Sequence, residues 1–234
     1  MELYIIRHGQ STNNTLTDPR GRVCDPPLTE LGRRQVALLT QHLAGATSRA
    51  PGAEGQKQPG LGITRLYCSP MRRALETAQP LGQALGVAPE VWIDVHEFGG
   101  IYLDYGAPTG VVAYPGKTRS EILAGFPHYR LPEGITEQGW WRGGREERVA
   151  FYARAARVAE TLRQWAGEDE RIAIVSHGDF SNGLLHALFN LSPEQGVYYH
   201  HPNTAISRID FQGDGRLDVR YVSRVDHLPP ELIS

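Results

Sequence analysis

The sequence predicts an α/β fold: a three-layer α/β/α sandwich around a mostly parallel sheet. Three observations carry that expectation. Short apolar runs rich in β-formers alternate along the chain with amphipathic helical stretches. Two of these runs, Ile5-Ile6 and Ile174-Val175, end in closely similar turns, Arg7-His8-Gly9 and Ser176-His177-Gly178. A third, Ile63 to Cys68, is followed by Ser69-Pro70 and a helical pattern. With 234 residues, 40% of them hydrophobic and 21% charged, the chain suits one domain, 1–234, with an ordinary apolar core.

Taken in order, Leu3 to Ile6 reads as a short buried strand. A polar loop follows through Asn13, Asn14, Pro19, Gly21, Pro26 and Pro27. Thr29 is placed to cap a helix from about Glu30 to Leu43, with Leu31, Val36, Leu39 and Leu43 as its apolar stripe. Residues 44–62, rich in Gly, Pro, Ala and Gln, read as a surface loop. Ile63 to Cys68 is the second strand. Pro70 is expected to open a helix running to about Leu85, which Pro80 would kink or split. Glu90 to Val95 is the third strand candidate. Residues 98–140 hold many Gly, Pro, Tyr and Trp residues with little periodicity, and read as a cap-like insert over the substrate. A long helix spans about Glu146 to Trp165, a strand Arg171 to Ser176, and a short helix Asp179 to Phe189. Thr204–Phe211 and Arg216–Val222 flank Gly213-Asp214-Gly215, a hairpin signal.

The formal net charge of −2 argues against broad nucleic-acid or anionic-membrane binding. Lys57 and Lys117 are the only lysines, so nearly all the basic charge is arginine, spread along the chain. Cys24 and Cys68 are the only cysteines and form no C-x-x-C pair, which disfavours a disulfide framework or a thiolate metal site. Leu3 to Ile6 is too short for a signal-peptide core, and no stretch is long enough to span a membrane. The expectation is a cytoplasmic enzyme. The oligomeric state is left open, with a homodimer possible.

The chemistry concentrates at strand ends, where open α/β sheets place their ligands. His8 and His177 each follow a buried run and precede a glycine. At one sheet edge the two imidazoles would emerge together, and the glycines would let backbone N–H groups approach an anion. Ser69-Pro70-Met71-Arg72-Arg73-Ala74 also follows a strand and opens a helix, whose N-terminus attracts anions. Arg72 and Arg73 point about 100° apart on a helix, so one faces the site and the other solvent.

Arg7-His8-Gly9, the Ser-Pro-x-x-Arg-Ala segment and Ser176-His177-Gly178, in this order, resemble the signature of the histidine phosphatase superfamily, which includes the cofactor-dependent phosphoglycerate mutases. The resemblance implies a phosphorylated nucleophile at His8, with Arg7, Arg73 and His177 around the phosphoryl oxygens. It implies Asn14 as a phosphate ligand, Asn13 being the weaker choice, and Glu97 as proton donor. Arg73, directly before Ala74, matches the family arginine. Gly178 would offer its amide to the phosphate.

The chemistry is coherent on its own terms. A neutral imidazole forms a labile phosphoramidate and splits one hard step into two. Arg7 disfavours protonation of His8. Arg7, Arg73 and a protonated His177 would supply the charge that a metal supplies elsewhere, so no metal or other cofactor is expected. Glu97 would protonate the leaving alkoxide and then deprotonate water.

Competing patterns are weaker. His200-His201 lacks an acidic or cysteine partner at ligand spacing. His96-Glu97 lacks the second histidine of a zinc-protease helix, and Ser176-His177 lacks a G-x-S-x-G elbow. Trp140, Trp141 and the insert tyrosines are candidates for a pocket wall or for cap packing. The favoured reading is a metal-independent phosphatase acting on a small phosphorylated substrate. The alternatives are a phosphoglycerate mutase and a non-catalytic phosphate-binding module. By the resemblance, mutases follow the glutamate with a substrate-binding tyrosine and lysine. Here those positions hold Gly100 and the neighbourhood of Pro108, with Arg142 and Arg145 as candidate substitutes for the mutases' paired arginines.

Overall fold

The computed structural model describes residues 1–45, 60–167 and 169–234, so most of the loop expected at 44–62 lies outside the described residues. Six strands form one sheet in the order β3-β2-β6-β1-β7-β8. They are β1 (Glu2–Arg7), β2 (Arg65–Cys68), β3 (Glu90–Val91), β6 (Arg171–Ser176), β7 (Ile206–Phe211) and β8 (Leu217–Arg224). The first four of that spatial order are parallel, and β7 and β8 add an antiparallel hairpin beside β1.

Strand periodicity divides the core in two. In β1, Tyr4 and Ile6 face α1 (Glu30–Ala44), α2 (Arg72–Leu85) and the insert. Leu3 and Ile5 face α4 (Arg148–Gln164) and α5 (Gly178–Phe189). Side chains two apart share a sheet face, so these central parallel strands are apolar throughout. The result is the three-layer α/β/α sandwich expected from the sequence.

The Thr29 cap is as expected: its hydroxyl accepts from the Gly32 amide at 2.9 Å. Other expectations need correction. The helix after the second strand begins at Arg72, with Met71 as its cap, so Pro70 lies outside it. Pro80 sits inside that helix without splitting it. The third strand stops at Val91, and Ile93–Val95 turns into a 3₁₀ helix. In and just after this turn the carbonyls of Asp94, Val95 and His96 bond to side chains instead of a strand partner. The insert carries its own order: β4 (Tyr102–Asp104) pairs antiparallel with β5 (Val111–Ala113), and α3 (Arg119–Gly125) follows. Thr118 and Glu121 form a capping box for α3, a T-x-x-E signature that was present in the sequence.

His96 and His201 are buried inside this frame, and His227 is half-buried. Burial, aided by Arg154, holds His96 down at about 4; burial and Arg7 do the same for His201, and burial and His42 for His227. The unfolded chain takes up protons on these groups at their ordinary values, whereas the folded chain resists until about pH 4. Their stabilising contribution is therefore complete above the ordinary histidine value and is lost as the pH falls through this window. The melting temperature is expected to drop between about pH 7 and about pH 5, and His227→Gln should shrink that drop. A melting temperature that is flat across the interval would contradict this assignment.

Candidate active site

The register of the sheet builds the site. β1 and β6 are neighbours, with Arg7 opposite Ser176. The residue that follows each strand is a histidine, so His8 and His177 emerge side by side with ring centroids 5.1 Å apart. His8 lines a cavity of about 620 Å³ together with Arg7, Asn14, Arg73, Glu97 and Asp179, and His177 is not part of that lining. His177 is fully buried behind it.

His8 is held in one tautomer. Its Nδ1 lies 2.6 Å from the Gly9 carbonyl, an acceptor, so Nδ1 carries the proton and Nε2 the lone pair. Arg73 Nε donates to that lone pair at 3.1 Å. Burial first, then Arg73 and Arg7, hold the His8 pKa well below its ordinary value. The ring is therefore a neutral base with its lone pair on the Arg73 side. Behind it, the Asn203 amide donates to the His8 carbonyl at 3.0 Å, and the Thr204 N–H reaches the same oxygen at 3.3 Å. Thr204 adopts φ +61°, a strained conformation for a β-branched residue.

Arg7 donates from NH1 to the His201 carbonyl at 2.6 Å, while its Nε is buried without a partner. His201 thus anchors Arg7 through its backbone, and its ring pairs with Ser223 at 2.8 Å. Among the described residues no group of His, Cys, Asp and Glu side chains could hold a metal ion. Asn14 turns Oδ1 onto the Ser11 amide and hydroxyl, both at 2.9 Å, so its amide nitrogen is not committed to that turn. Asn13 is spent on Val23, bonding its carbonyl at 2.8 Å and its amide at 3.1 Å. Arg72 pairs with Glu76 at 2.7 Å and does not line the cavity. Of the two arginines it is Arg73 that faces the site.

Two expectations change. His177 is not held as a cation by its protein surroundings: burial and then Arg73 drive its pKa well below the ordinary value, and Nε2 pairs with Ser69 Oγ at 2.8 Å. The fixed positive charge is that of Arg7 and Arg73. The two glycines also differ. Gly9 spends its amide on Thr77 Oγ1 at 3.1 Å, and a Cβ on Gly9 would come within 2.8 Å of the Gly32 carbonyl, so its role is close packing on α1. Gly178, the first residue of α5, has only Arg7 near its missing Cβ and keeps the open approach. Of the two readings of Trp140 and Trp141, cap packing is the one the structure shows: they pack on His96, with centroids at 5.4 and 4.9 Å, and do not line the cavity.

Glu97 follows the 3₁₀ turn and lines the cavity. Its Oε1 accepts from the amides of Phe98 at 2.9 Å and Phe180 at 3.0 Å. Burial first, then the charge of Asp179, raises its pKa; Arg73 and the two amides pull the other way. A raised carboxyl pKa favours the protonated form, which can give a proton. Arg145 also lines the cavity, its guanidinium 5.2 Å from the Tyr102 ring centre, whereas Arg142 bonds Thr136 outside it.

Sequence reasoning quoted Ser69 without giving it a role of its own, and passed over Asn203 and Thr204 as site residues. It also missed Asp25, whose Oδ1 caps α2 by accepting from the Arg72 amide at 2.9 Å. Ser69 and Asp25 stood beside residues already singled out; Asn203 carried no local signal.

Known proteins of similar sequence and fold define the class of the enzyme. A glucosyl-3-phosphoglycerate phosphatase of Mycobacterium tuberculosis is 30% identical over 198 residues, which cover 81% of this chain and 75% of that protein. A probable phosphoglycerate mutase, GpmB, of Yersinia enterocolitica is 25% identical over 214 residues, covering 91% and 86%. The crystal structure of a phosphoserine phosphatase of Entamoeba histolytica in complex with 3-phosphoglyceric acid superposes with a TM-score of 0.60 at 19% identity, over 97% of this chain and 99% of that one. Fold and relatives together define an enzyme of the phosphatase class. The chain belongs to the histidine phosphatase superfamily (branch 1), whose sequence pattern matches residues 3–223. Among the described residues no helix is long and apolar enough to cross a membrane.

Proposed function

We propose that the enzyme hydrolyses small phosphate monoesters through a phosphohistidine on His8 Nε2, without a metal. One observation carries the reading: the Nδ1 bond to Gly9 leaves the His8 lone pair on Nε2, beside Arg73 and in the cavity that Glu97 shares. The ester phosphate takes the place of the lone pair as acceptor for Arg73, with Arg7, Asn14 and the Gly178 amide on its other oxygens. Nε2 attacks phosphorus, and the P–O bond to the leaving group breaks. Glu97 gives that oxygen its proton. Glu97 then takes a proton from water, which attacks the phosphohistidine and releases inorganic phosphate and free His8.

Hydrolysis is favoured over the mutase reading by Gly100. Its φ is +74°, and a Cβ there would strike the Trp141 ring, so this position sends no side chain to the substrate. The glycerate-bearing substrate of the mycobacterial relative makes phosphorylated glycerates the first esters to try. Enzyme dialysed against chelator is expected to keep its kcat on such esters, because Arg7 and Arg73 supply the charge. Vanadate should inhibit competitively as a mimic of the pentacoordinate state. Loss of kcat on chelation, restored by zinc or magnesium, would overturn the metal-independent mechanism.

A further inference from the structure

We infer that the buried Arg154–Glu146 pair is a positioning device for Glu97, setting its aim on the leaving group. This rests on the proton-donor reading of Glu97 given above. Arg154 is 3% exposed on α4. Its Nε and NH2 donate to the two Glu146 carboxylate oxygens at 2.8 and 2.6 Å. Its NH1 donates to the carbonyls of Asp94 at 2.7 Å and His96 at 2.9 Å. The His96 carbonyl belongs to the peptide that carries Glu97. The same guanidinium lies 4.9 Å from the Phe180 ring centre, and the Phe180 amide holds Glu97 Oε1. On the other side, the Glu146 amide donates to the Gly99 carbonyl at 3.1 Å. The pair therefore grips the chain immediately before and two residues after Glu97.

This grip stands where regular pairing has failed. β3 ends at Val91, so the carbonyls that follow have no strand partner. A buried carbonyl without a donor is costly, and the planar fork of arginine supplies both donors from a single nitrogen while its other edge takes the carboxylate. A lysine cannot reproduce this set. Stability alone does not explain the pair, because apolar residues of similar volume often serve a core as well as a buried ion pair does. What apolar residues cannot do is fix two carbonyls beside a proton donor. Proton transfer is sensitive to such placement, and an error of about 1 Å can cost about 10²-fold in rate.

The test uses rapid-quench phosphorylation of His8 by an alkyl phosphate and by nitrophenyl phosphate. The variants are Arg154→Lys, the double variant Arg154→Met with Glu146→Leu, and Glu97→Gln as reference. The double variant keeps apolar volume in the core and removes the unpaired charge that a single change would leave. Both Arg154 variants are expected to slow the alkyl ester by about 10-fold or more, in the range set by misplacement of a catalytic group. Nitrophenyl phosphate should react at nearly the wild-type rate, and inhibition by vanadate should be unchanged. Equal slowing of both substrates, or weakened vanadate inhibition alongside a lowered melting temperature, would reduce the pair to a core staple. If Glu97→Gln discriminates between the substrates and the Arg154 variants do not, the positioning role alone fails. If Glu97→Gln itself does not discriminate, the donor assignment fails and this inference falls with it.

Discussion

His8→Ala is expected to abolish both a covalent phosphoenzyme and turnover. Wild-type protein incubated with a labelled phosphate ester and quenched in base should retain label that acid releases, the behaviour of a phosphoramidate. The variant should retain none. Its kcat should fall by roughly 10⁴-fold or more, the scale seen when a covalent nucleophile is removed. The expectation follows from the tautomer. With Nδ1 committed to Gly9 O, the nucleophilic nitrogen is Nε2, which Arg73 already touches at 3.1 Å. Because burial and two arginines hold the His8 pKa well below its ordinary value, the nucleophile stays unprotonated through neutral pH and fails only in acid. Label on the His8→Ala protein, or on a serine of the wild type, would refute the mechanism.

The second large effect belongs to Glu97→Gln, and it depends on the substrate. An alkyl phosphate releases a basic alkoxide and needs a proton as the P–O bond breaks. Nitrophenyl phosphate releases a stabilised phenolate and needs it little. Phosphorylation by the alkyl ester should slow by about 10²-fold or more, the contribution of a positioned general acid. Phosphorylation by nitrophenyl phosphate should slow far less and be followed by a burst, because Glu97 must also act as base on water in the second step. Burial and Asp179 raise the Glu97 pKa, so the donor form survives above the usual carboxylate range and disappears as the pH climbs through the raised value. The wild-type rate with alkyl esters should fall along that alkaline limb, and the limb should be missing in Glu97→Gln. Arg73→Ala is the control, since it removes charge stabilisation from both substrates. Equal slowing of the two esters by Glu97→Gln would mean that Glu97 shapes the pocket without moving a proton.

Much of this was legible in the chain, and the physical reasons differ by element. β6 was read at its exact bounds because a parallel strand buried on both faces is a continuous apolar run, and Ile172 to Val175 is one. α1 was legible through its Thr29 cap and apolar stripe. β3 was misread as a longer strand because Glu90 to Val95 has strand composition. What ends it is a set of donors from α4 and β6, which local sequence does not reveal. The helix expected from Glu146 begins instead at Arg148, and this frees Glu146 to meet Arg154. The insert was read as aperiodic because its strands have three residues each, too short for alternation to show.

The sequence by itself determined the fold class, the helix that presents Arg73 and the identity of the two histidines. Apolar periodicity, capping and strand-ending turns are local, and they are written within a few residues. Only the tertiary structure decided that β1 and β6 are neighbours in a register that sets Arg7 against Ser176, and so His8 beside His177. It also decided which nitrogen of His8 carries the lone pair, that burial and Arg73 disfavour a charged His177, and that Arg154 grips the turn before Glu97. The register and the Arg154 grip depend on partners 169 and 58 residues away along the chain, while the His8 tautomer needs the turn that brings the adjacent Gly9 carbonyl onto Nδ1. Desolvation and hydrogen-bond geometry arise only when such distant segments close around one another.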